Sequence, residues 1–155
     1  MTYDIESFLA PENVLVGVQA GCKRSVLKQM AAHAAKTLGI DDKGLLDALL
    51  EREQLGSTGI GRGVAVPHGR TDLRELRGIL ARLDTPVDFE AVDDHPVDLV
   101  FMLLAPHQAD GEHLKALSRV ARLLRSEQVQ RAMRGASTAE ALHAIAIGGP
   151  DAEAA

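Results

Sequence analysis

The sequence predicts a single α/β domain, in which a mixed parallel and antiparallel β-sheet is flanked by α-helices as an α/β/α sandwich. A length of 155 residues suits one domain. Short apolar runs are interspersed with segments of helical periodicity, but the two kinds do not alternate strictly, which favours a mixed sheet over a doubly wound parallel one. Hydrophobic residues make up 46% of the chain and aromatic residues only 3%, so we expect an aliphatic core.

The N-terminal third predicts one strand and two helices. Valine at every second position between Asn13 and Val18 indicates a strand. Lys23–Leu38 carries apolar residues at helical spacing, and Gly39 is typical of a helix end. Asp41 is a plausible N-cap for a second helix that closes near Gly56.

Three strands are predicted in the middle of the chain. Val64–Val66 is a short strand and Gly78–Leu83 is another. Val97–Leu104 is almost wholly apolar, which predicts a central strand buried on both faces, with Pro106 ending it.

The C-terminal third predicts helices. Glu112–Arg125 is strongly amphipathic, and Glu127–Arg134 is a short helix. Ser137-Thr138-Ala139-Glu140 is a capping-box pattern that opens the last helix. Residues 148–155 have nothing large to bury, so we expect them to form a flexible tail.

Composition and charge exclude several classes of protein. A net charge of −5 argues against a nucleic-acid binder. No apolar run approaches the roughly 20 residues that span a bilayer, and the acidic N-terminus lacks the basic start of a signal peptide. The single cysteine, Cys22, excludes an internal disulfide and fits a reducing compartment. These features predict a cytoplasmic protein.

The segment Ser57–Arg70 is the most informative run, because it places one histidine directly after a proline at the end of a predicted strand. Pro67 restricts its own φ and favours an extended residue before it. Gly69 follows His68 at once, so we expect the backbone to turn there. A neutral imidazole can act as a nitrogen nucleophile near neutral pH. The alternative is that His68 only caps a strand end.

A glycine-rich bend precedes this histidine. Gly59, Gly61 and Gly63 cost backbone entropy beyond what a simple turn needs, and their N–H groups could cradle an anion such as phosphate. The hydroxyl groups of Ser57 and Thr58 could hydrogen-bond a phosphate or simply cap the turn.

Two further residues are candidates for anion recognition. Arg52 closes an otherwise apolar helix just before the glycine bend, and a guanidinium binds phosphate in bidentate fashion. His113 lies at the start of the amphipathic helix, where an anion is favoured. The alternative for His113 is an ordinary first-turn surface residue, and we expect Arg62 and Arg70 to be solvated charges.

A metal site is not predicted. The remaining four histidines are expected to be structural or exposed, and no pair has the spacing of a zinc site. They are His33, His95, His107 and His143.

Ser57–Arg70 closely resembles the active-site signature of the IIA proteins of the sugar phosphotransferase system, fructose/mannitol superfamily, and within it the nitrogen-related IIA group. The resemblance covers nearly the whole chain. It is carried further by Leu49–Glu53, Val87–Phe89, Pro96–Phe101 and His113–Leu124. One departure is His95, which stands in a turn where the family usually has glycine.

The resemblance implies a phosphocarrier domain over residues 1–147. It makes His68 the residue that accepts a phosphoryl group from the phosphohistidine of an HPr-type carrier protein, with Arg52 and His113 as accessory residues. The implied donor is itself a phosphoprotein, so no cofactor is expected. The family fold is a mixed sheet flanked by helices, as the periodicity also predicts.

Three functions remain open at this point. The nitrogen-type signature, with no IIB, IIC or HPr-like segment in the chain, favours a regulator that acts on downstream target proteins through its phosphorylation state. A sugar-specific IIA component that passes phosphate to a IIB domain is the alternative within the family. A non-catalytic protein-binding module is the alternative from another class.

Overall fold

The computed structural model describes residues 4–108 and 111–148. Nearly all of the predicted tail, residues 149–155, lies outside the described residues. The helices are α1 (Ile5–Phe8), a 3₁₀-helix (Pro11–Asn13), α2 (Lys23–Leu38), α3 (Asp42–Gln54), α4 (Glu112–Arg125), α5 (Glu127–Gly135) and α6 (Ala139–Ala146). The strands are β1 (Val14–Val18), β2 (Gly59–Gly61), β3 (Val64–Ala65), β4 (His68–Thr71), β5 (Arg77–Val87) and β6 (Val97–Pro106).

The sheet is mixed, as the sequence predicts. Its order is β1-β5-β6-β3-β2, and β4 also pairs with β6 beyond the end of β3. β5 runs antiparallel to β6, whereas β3 and β4 run parallel to it. Strand β6 is therefore the centre of the sheet, and eight of its ten residues are buried, which confirms the predicted central strand.

Helices cover both faces of this sheet. On one face α2 and α3 pack through a cluster that includes Leu27, Leu49 and Val100. On the other face α4, α5 and α6 pack through a second cluster that includes Val120 and Phe101. Because each face of the sheet has its own apolar cluster, the α/β/α sandwich is confirmed.

Local signals set several helix ends where the sequence places them. Gly39 takes the left-handed conformation, with φ of 71°, just after α2. The Asp41 carboxylate accepts a hydrogen bond from the backbone N–H of Gly44 at 3.0 Å, capping α3. The cap of α6 differs from the predicted capping box, because Thr138 is the N-cap and its hydroxyl accepts from the backbone N–H of Ala141.

Two strands were not predicted. The glycine-rich bend forms β2 and pairs antiparallel with β3. The expected turn after Gly69 is wrong, because the backbone continues as β4, with His68 opposite Leu103 and Gly69 opposite Leu104. β2 forms a short hairpin with β3, whereas β4 is held by pairing with β6, which is distant in the chain. Local glycine content reveals neither pairing. Strand β5 also extends to Val87, beyond the predicted Leu83.

Within residues 4–108 and 111–148, no helix is both long enough and apolar enough to cross a bilayer.

Candidate functional site

His68 begins β4 and is half-buried at the end of the sheet. Its Nδ1 lies 3.0 Å from the carbonyl oxygen of Val66. A carbonyl can only accept, so Nδ1 carries the proton and donates it, and Nε2 carries the lone pair. Pro67 lies between the two residues. Its fixed φ sets the local backbone so that the Val66 carbonyl lies against the His68 ring. The hydrogen bond to Val66 therefore selects one tautomer of the ring, with the proton on Nδ1.

Arg52 faces that lone pair from the last turn of α3. Its Nε donates to Nε2 of His68 at 3.1 Å, and its Nη1 donates to the carbonyl oxygen of Gly56 at 2.8 Å. The guanidinium is held at two points, which orients its remaining N–H groups beside the imidazole. The structure therefore brings together the two residues that the sequence suggested separately.

His113 shares a cavity with His68. The cavity has a volume of about 70 Å³ and is lined by His68, Gly69, Arg70, Leu76, Leu103, Ala105, His113 and Leu117. The Nδ1 of His113 is buried, and it has no hydrogen-bond partner among the described residues. A buried, unpartnered ring nitrogen is costly unless a ligand supplies the missing bond.

Burial sets the charge state of His68. Burial lowers the pKa of the imidazole below its ordinary value, and the nearby Arg52 guanidinium and His113 lower it further. The Val66 carbonyl and the Glu53 carboxylate raise the pKa, but they do not reverse the effect of burial. His68 is therefore neutral near pH 7, which is the state that a nitrogen nucleophile requires.

The structure places Gly63 away from His68. Gly63 accepts hydrogen bonds from the N–H groups of Asp98 and Leu99, whereas His68 lies opposite Leu103. Four residues of strand separate those points on β6, about 13 Å at roughly 3.3 Å per residue. Gly61 and Gly63, with φ of 103° and 83°, instead form the β2–β3 turn.

Gly59 has a packing role. A Cβ at Gly59 would lie 2.8 Å from the Cβ of Ala91, so only glycine fits there without a shift. The predicted phosphate loop thus has a structural explanation for each of its glycines.

The two hydroxyl groups of the loop are occupied within the protein. The Ser57 hydroxyl donates to the carbonyl oxygen of Phe89. The Thr58 hydroxyl donates to the carboxylate of Glu53, and Thr58 is buried. Neither hydroxyl contacts the His68 ring, and both hold the loop that follows α3.

Most of the other residues that the sequence predicts to be structural or solvated have partners within the protein. Arg62 pairs with Glu127 at 2.8 Å, and the Nη1 of Arg70 donates to the carbonyl oxygen of His107 at 3.0 Å. His33 and His143 hydrogen-bond with the carbonyl oxygens of Glu12 and Leu9, His107 pairs with Asp72, and His95 is exposed. Over the part of the chain that the structure describes, no group of three or more His, Cys, Asp or Glu residues could hold a metal.

Sequence reasoning missed Glu53 and the carbonyl of Val66. A glutamate at a helix end is usually solvated, but the side chain of Glu53 is only 4% exposed and pairs with Lys23, 30 positions away in the chain. The extended conformation that Pro67 imposes was the only available signal for the Val66 carbonyl.

A mixed sheet between two layers of helices, with a histidine at the sheet end, can be compared with known protein families. The family model described as "Phosphoenolpyruvate-dependent sugar phosphotransferase system, EIIA 2" matches residues 7–147. The chain belongs to this family.

Among curated relatives, a nitrogen regulatory protein of Bradyrhizobium diazoefficiens is 44% identical over 142 residues, covering 91% of this chain and 93% of the relative. The crystal structure of the nitrogen regulatory protein IIA-Ntr from Neisseria meningitidis superposes with a TM-score of 0.81 at 32% identity, covering 86% of this chain and 92% of that one. A fructose-specific EIIABC component of Bacillus subtilis is 32% identical over 140 residues, covering 89% of this chain but 22% of that protein.

Proposed function

We propose that the protein is a phosphocarrier of the nitrogen-type phosphotransferase system that accepts a phosphoryl group on Nε2 of His68. The observation that carries this proposal is the hydrogen bonding of the ring, with Nδ1–H donated to Val66 and the Nε2 lone pair facing Arg52. The phosphoryl-transfer domain comprises residues 1–147, and the donor is the phosphohistidine of an HPr-type carrier.

The reaction exchanges one P–N bond for another. The lone pair on Nε2 attacks phosphorus in line as the P–N bond of the donor breaks, and the departing electron pair stays on the donor nitrogen. No proton has to leave His68, because Nδ1–H remains donated to Val66. The positive charge that develops on the ring is stabilised by that carbonyl. Bonds of the same kind are broken and formed, so positioning and electrostatics supply the catalysis.

Arg52 has to change its partner during transfer. Its Nε–H occupies the lone pair that attacks phosphorus, so the guanidinium moves onto the phosphoryl oxygens as the group arrives. Five N–H donors allow it to keep the Gly56 carbonyl while it binds two oxygens.

His113 supplies a further donor from the wall of the same cavity. Its ring lines the same small space as His68, and its buried Nδ1 lacks a partner among the described residues. A phosphoryl oxygen on His68 satisfies this nitrogen when Nδ1 carries the proton. His113 therefore stabilises the charge of the transferring group.

Exposed apolar side chains suit a face that docks another protein. Leu55 is 82% exposed beside Gly56, and Leu114 is 59% exposed beside His113. We name these two residues the apolar rim. Exposed leucines next to a half-buried nucleophile are typical of a surface that a macromolecular donor covers.

The regulatory role rests on the closeness of the nitrogen-type relatives. The Bradyrhizobium nitrogen regulatory protein is 44% identical and matched along almost its whole length, whereas the Bacillus fructose component is 32% identical and contains this unit as 22% of its length. The phosphorylation state of His68 then acts on downstream target proteins. The exposed, free Cys22 fits the reducing cytoplasm, where we place the protein.

The second candidate is a sugar-specific IIA component that passes its phosphate to a IIB domain, as the similarity to the fructose-specific protein suggests. Transfer from the phosphorylated protein to purified fructose- or mannitol-type IIB separates the two functions. The regulator is expected to transfer poorly, whereas rapid transfer to IIB identifies a transport component.

The phosphocarrier chemistry is tested by incubation with phosphoenolpyruvate, enzyme I and an HPr-type carrier. Wild type is expected to gain one acid-labile phosphate, and His68→Ala to gain none. If wild type stays unlabelled, the binding-module alternative holds. If His68→Ala is labelled equally, another residue takes the phosphate and the role given to His68 is lost.

A further inference from the structure

Glu53 is a buried carboxylate one residue beyond Arg52. Its side chain is 4% exposed. The carboxylate accepts hydrogen bonds from the backbone N–H of Thr58, at 3.2 and 3.3 Å, and from the Thr58 hydroxyl. Lys23 supplies the compensating charge, with Nζ at 3.2 Å. A buried charge with all of these partners is held in a single geometry.

These contacts close the loop that follows α3. Glu53 and Thr58 are the two ends of a six-residue segment, and Gly56 lies inside it. The carbonyl of Gly56 accepts from Nη1 of Arg52 at 2.8 Å. The position of that carbonyl depends on the loop, and the loop is pinned by Glu53. A contact chain therefore runs from Glu53 through the loop to the guanidinium that faces His68.

Lys23 fixes the other side of the carboxylate to the body of the domain. It lies in the first turn of α2, with Nζ 3.5 Å from the Phe89 carbonyl and 5.8 Å from the centre of the Phe89 ring. Its second acidic partner, Glu90, is 78% exposed at 3.5 Å and contributes little. The anchor is therefore the buried pair rather than the exposed one.

We propose that Glu53 is a positioning residue for phosphoryl transfer: with Thr58 and Lys23 it fixes the loop whose Gly56 carbonyl aims Arg52 at Nε2 of His68. This inference rests on the proposed function. Glu53 touches neither the reacting nitrogen nor the phosphoryl group, so its effect passes through Arg52.

Glu53 also acts on His68 through its charge. The charged or titratable groups that act on the His68 ring are Arg52 and Glu53 from α3 and His113 from α4. Arg70 from β4 lines the same cavity. Among the charges that perturb the imidazole, the carboxylate of Glu53 is the one that raises its pKa. Removal of this carboxylate moves the His68 titration midpoint further down, whereas loosening of the loop slows transfer at every pH.

Two substitutions separate these effects, with a matched control on the same helix. Glu53→Gln removes the charge, Glu53→Asp keeps the charge but withdraws it from Thr58, and Glu51→Gln removes an exposed charge two residues away. The readouts are the NMR titration of the His68 ring, the Nε–H resonance of Arg52, and the rate of transfer from a phosphorylated HPr-type carrier at varied carrier concentration.

Glu53→Gln is expected to lower the His68 midpoint, to broaden the Arg52 Nε–H resonance and to reduce the maximal rate about tenfold, with the KM for the carrier unchanged. Glu53→Asp is expected to keep the midpoint and lose the rate, and Glu51→Gln to match wild type. The proposal is overturned if both Glu53 variants transfer as fast as Glu51→Gln. If Glu53→Gln does not fold, the test rests on Glu53→Asp. A wild-type rate of transfer in Glu53→Asp then overturns the proposal.

Failure of this inference is distinct from failure of the proposed function. The titration needs no phosphoryl donor, so it reports the coupling of Glu53 to His68 even if wild type takes no phosphate. An unlabelled wild type removes the phosphocarrier function, whereas a labelled wild type with fully active Glu53 variants removes only the role of Glu53.

Discussion

At the scale of single residues, the two nitrogens of the His68 ring make opposite hydrogen bonds, one as donor and one as acceptor. The Val66 carbonyl requires a proton on Nδ1, and the Arg52 Nε–H requires a lone pair on Nε2. Both contacts favour the same neutral tautomer, and burial favours neutrality as well. The ring is thus held in the tautomer that the proposed transfer requires.

The geometry of Arg52 predicts that charge alone does not replace it. In Arg52→Lys, an ammonium cannot bind the Gly56 carbonyl and two phosphoryl oxygens as a planar fork. We expect transfer to slow by about 100-fold, the effect of removing one preorganised donor, as measured by rapid-quench kinetics. Arg62→Lys is the control, because Arg62 lies in the β2–β3 turn and pairs with Glu127. Equal rates for the two variants would exclude the role given to Arg52.

The sequence indicates that the residues with distinctive side-chain chemistry lie together, whereas it does not indicate where the glycines lie; the functional role given to each stays a prediction. His68, Arg52 and His113 were chosen by side-chain type and position, and the structure gathers them. Gly59 and Gly63 suggested an anion cradle, yet they serve close packing and a hairpin turn. A glycine is compatible with both uses, and only the pairing of β3 with β6 distinguishes them.

At the scale of elements, periodicity predicted those helices and strands that bury a continuous apolar face. α2, α4 and β6 are examples, and the structure confirms each within two residues. β2 and β4 have no such face, because they are short and contain glycine. Their existence depends on hydrogen bonds to β3 and β6, so local composition carries no signal for them.

Substitution of Gly78 measures how closely the side chain of Phe101 packs on the sheet next to the site. It lies on β5 opposite Leu103, which in turn lies opposite His68. A Cβ at Gly78 would meet the Phe101 ring at 2.7 Å. We expect Gly78→Ala to lower the free energy of unfolding by roughly 1–3 kcal/mol through overpacking, as measured by urea denaturation.

Gly135→Ala is the matched control, because a Cβ at Gly135, the last residue of α5, meets nothing within 4 Å. This variant is expected to be neutral or slightly stabilising. If the two alanine variants unfold at the same urea concentration, the close packing of Phe101 on β5 is contradicted.

At the scale of the whole molecule, the two ends of β6 lie at different surfaces of the protein. The end near Leu103 carries His68, Arg52, His113 and the apolar rim. The opposite end carries the β2–β3 turn, with Arg62 paired to Glu127. We expect a phosphoryl donor to dock on the first end, because His68, the proposed acceptor, lines a cavity there.

The apolar rim provides a test of this docking. Leu55→Ser and Leu114→Ser are each expected to raise the KM for the HPr-type carrier about tenfold while the maximal rate is kept, since they remove binding but not chemistry. Val92→Ser is the matched control, because Val92 is 83% exposed and lies near the β2–β3 turn, beside Gly61 and Asp93. Docking at the His68 end is refuted if Val92→Ser weakens carrier binding as much as the rim variants do.

The most direct test of the account is to locate the phosphate on the His68 ring. Protein labelled with ¹⁵N and phosphorylated through the carrier is examined by long-range ¹H–¹⁵N NMR. We predict a phosphorus–nitrogen coupling at Nε2, with Nδ1 still protonated and bonded to Val66. A phosphate on Nδ1, or on a residue other than His68, would contradict the account.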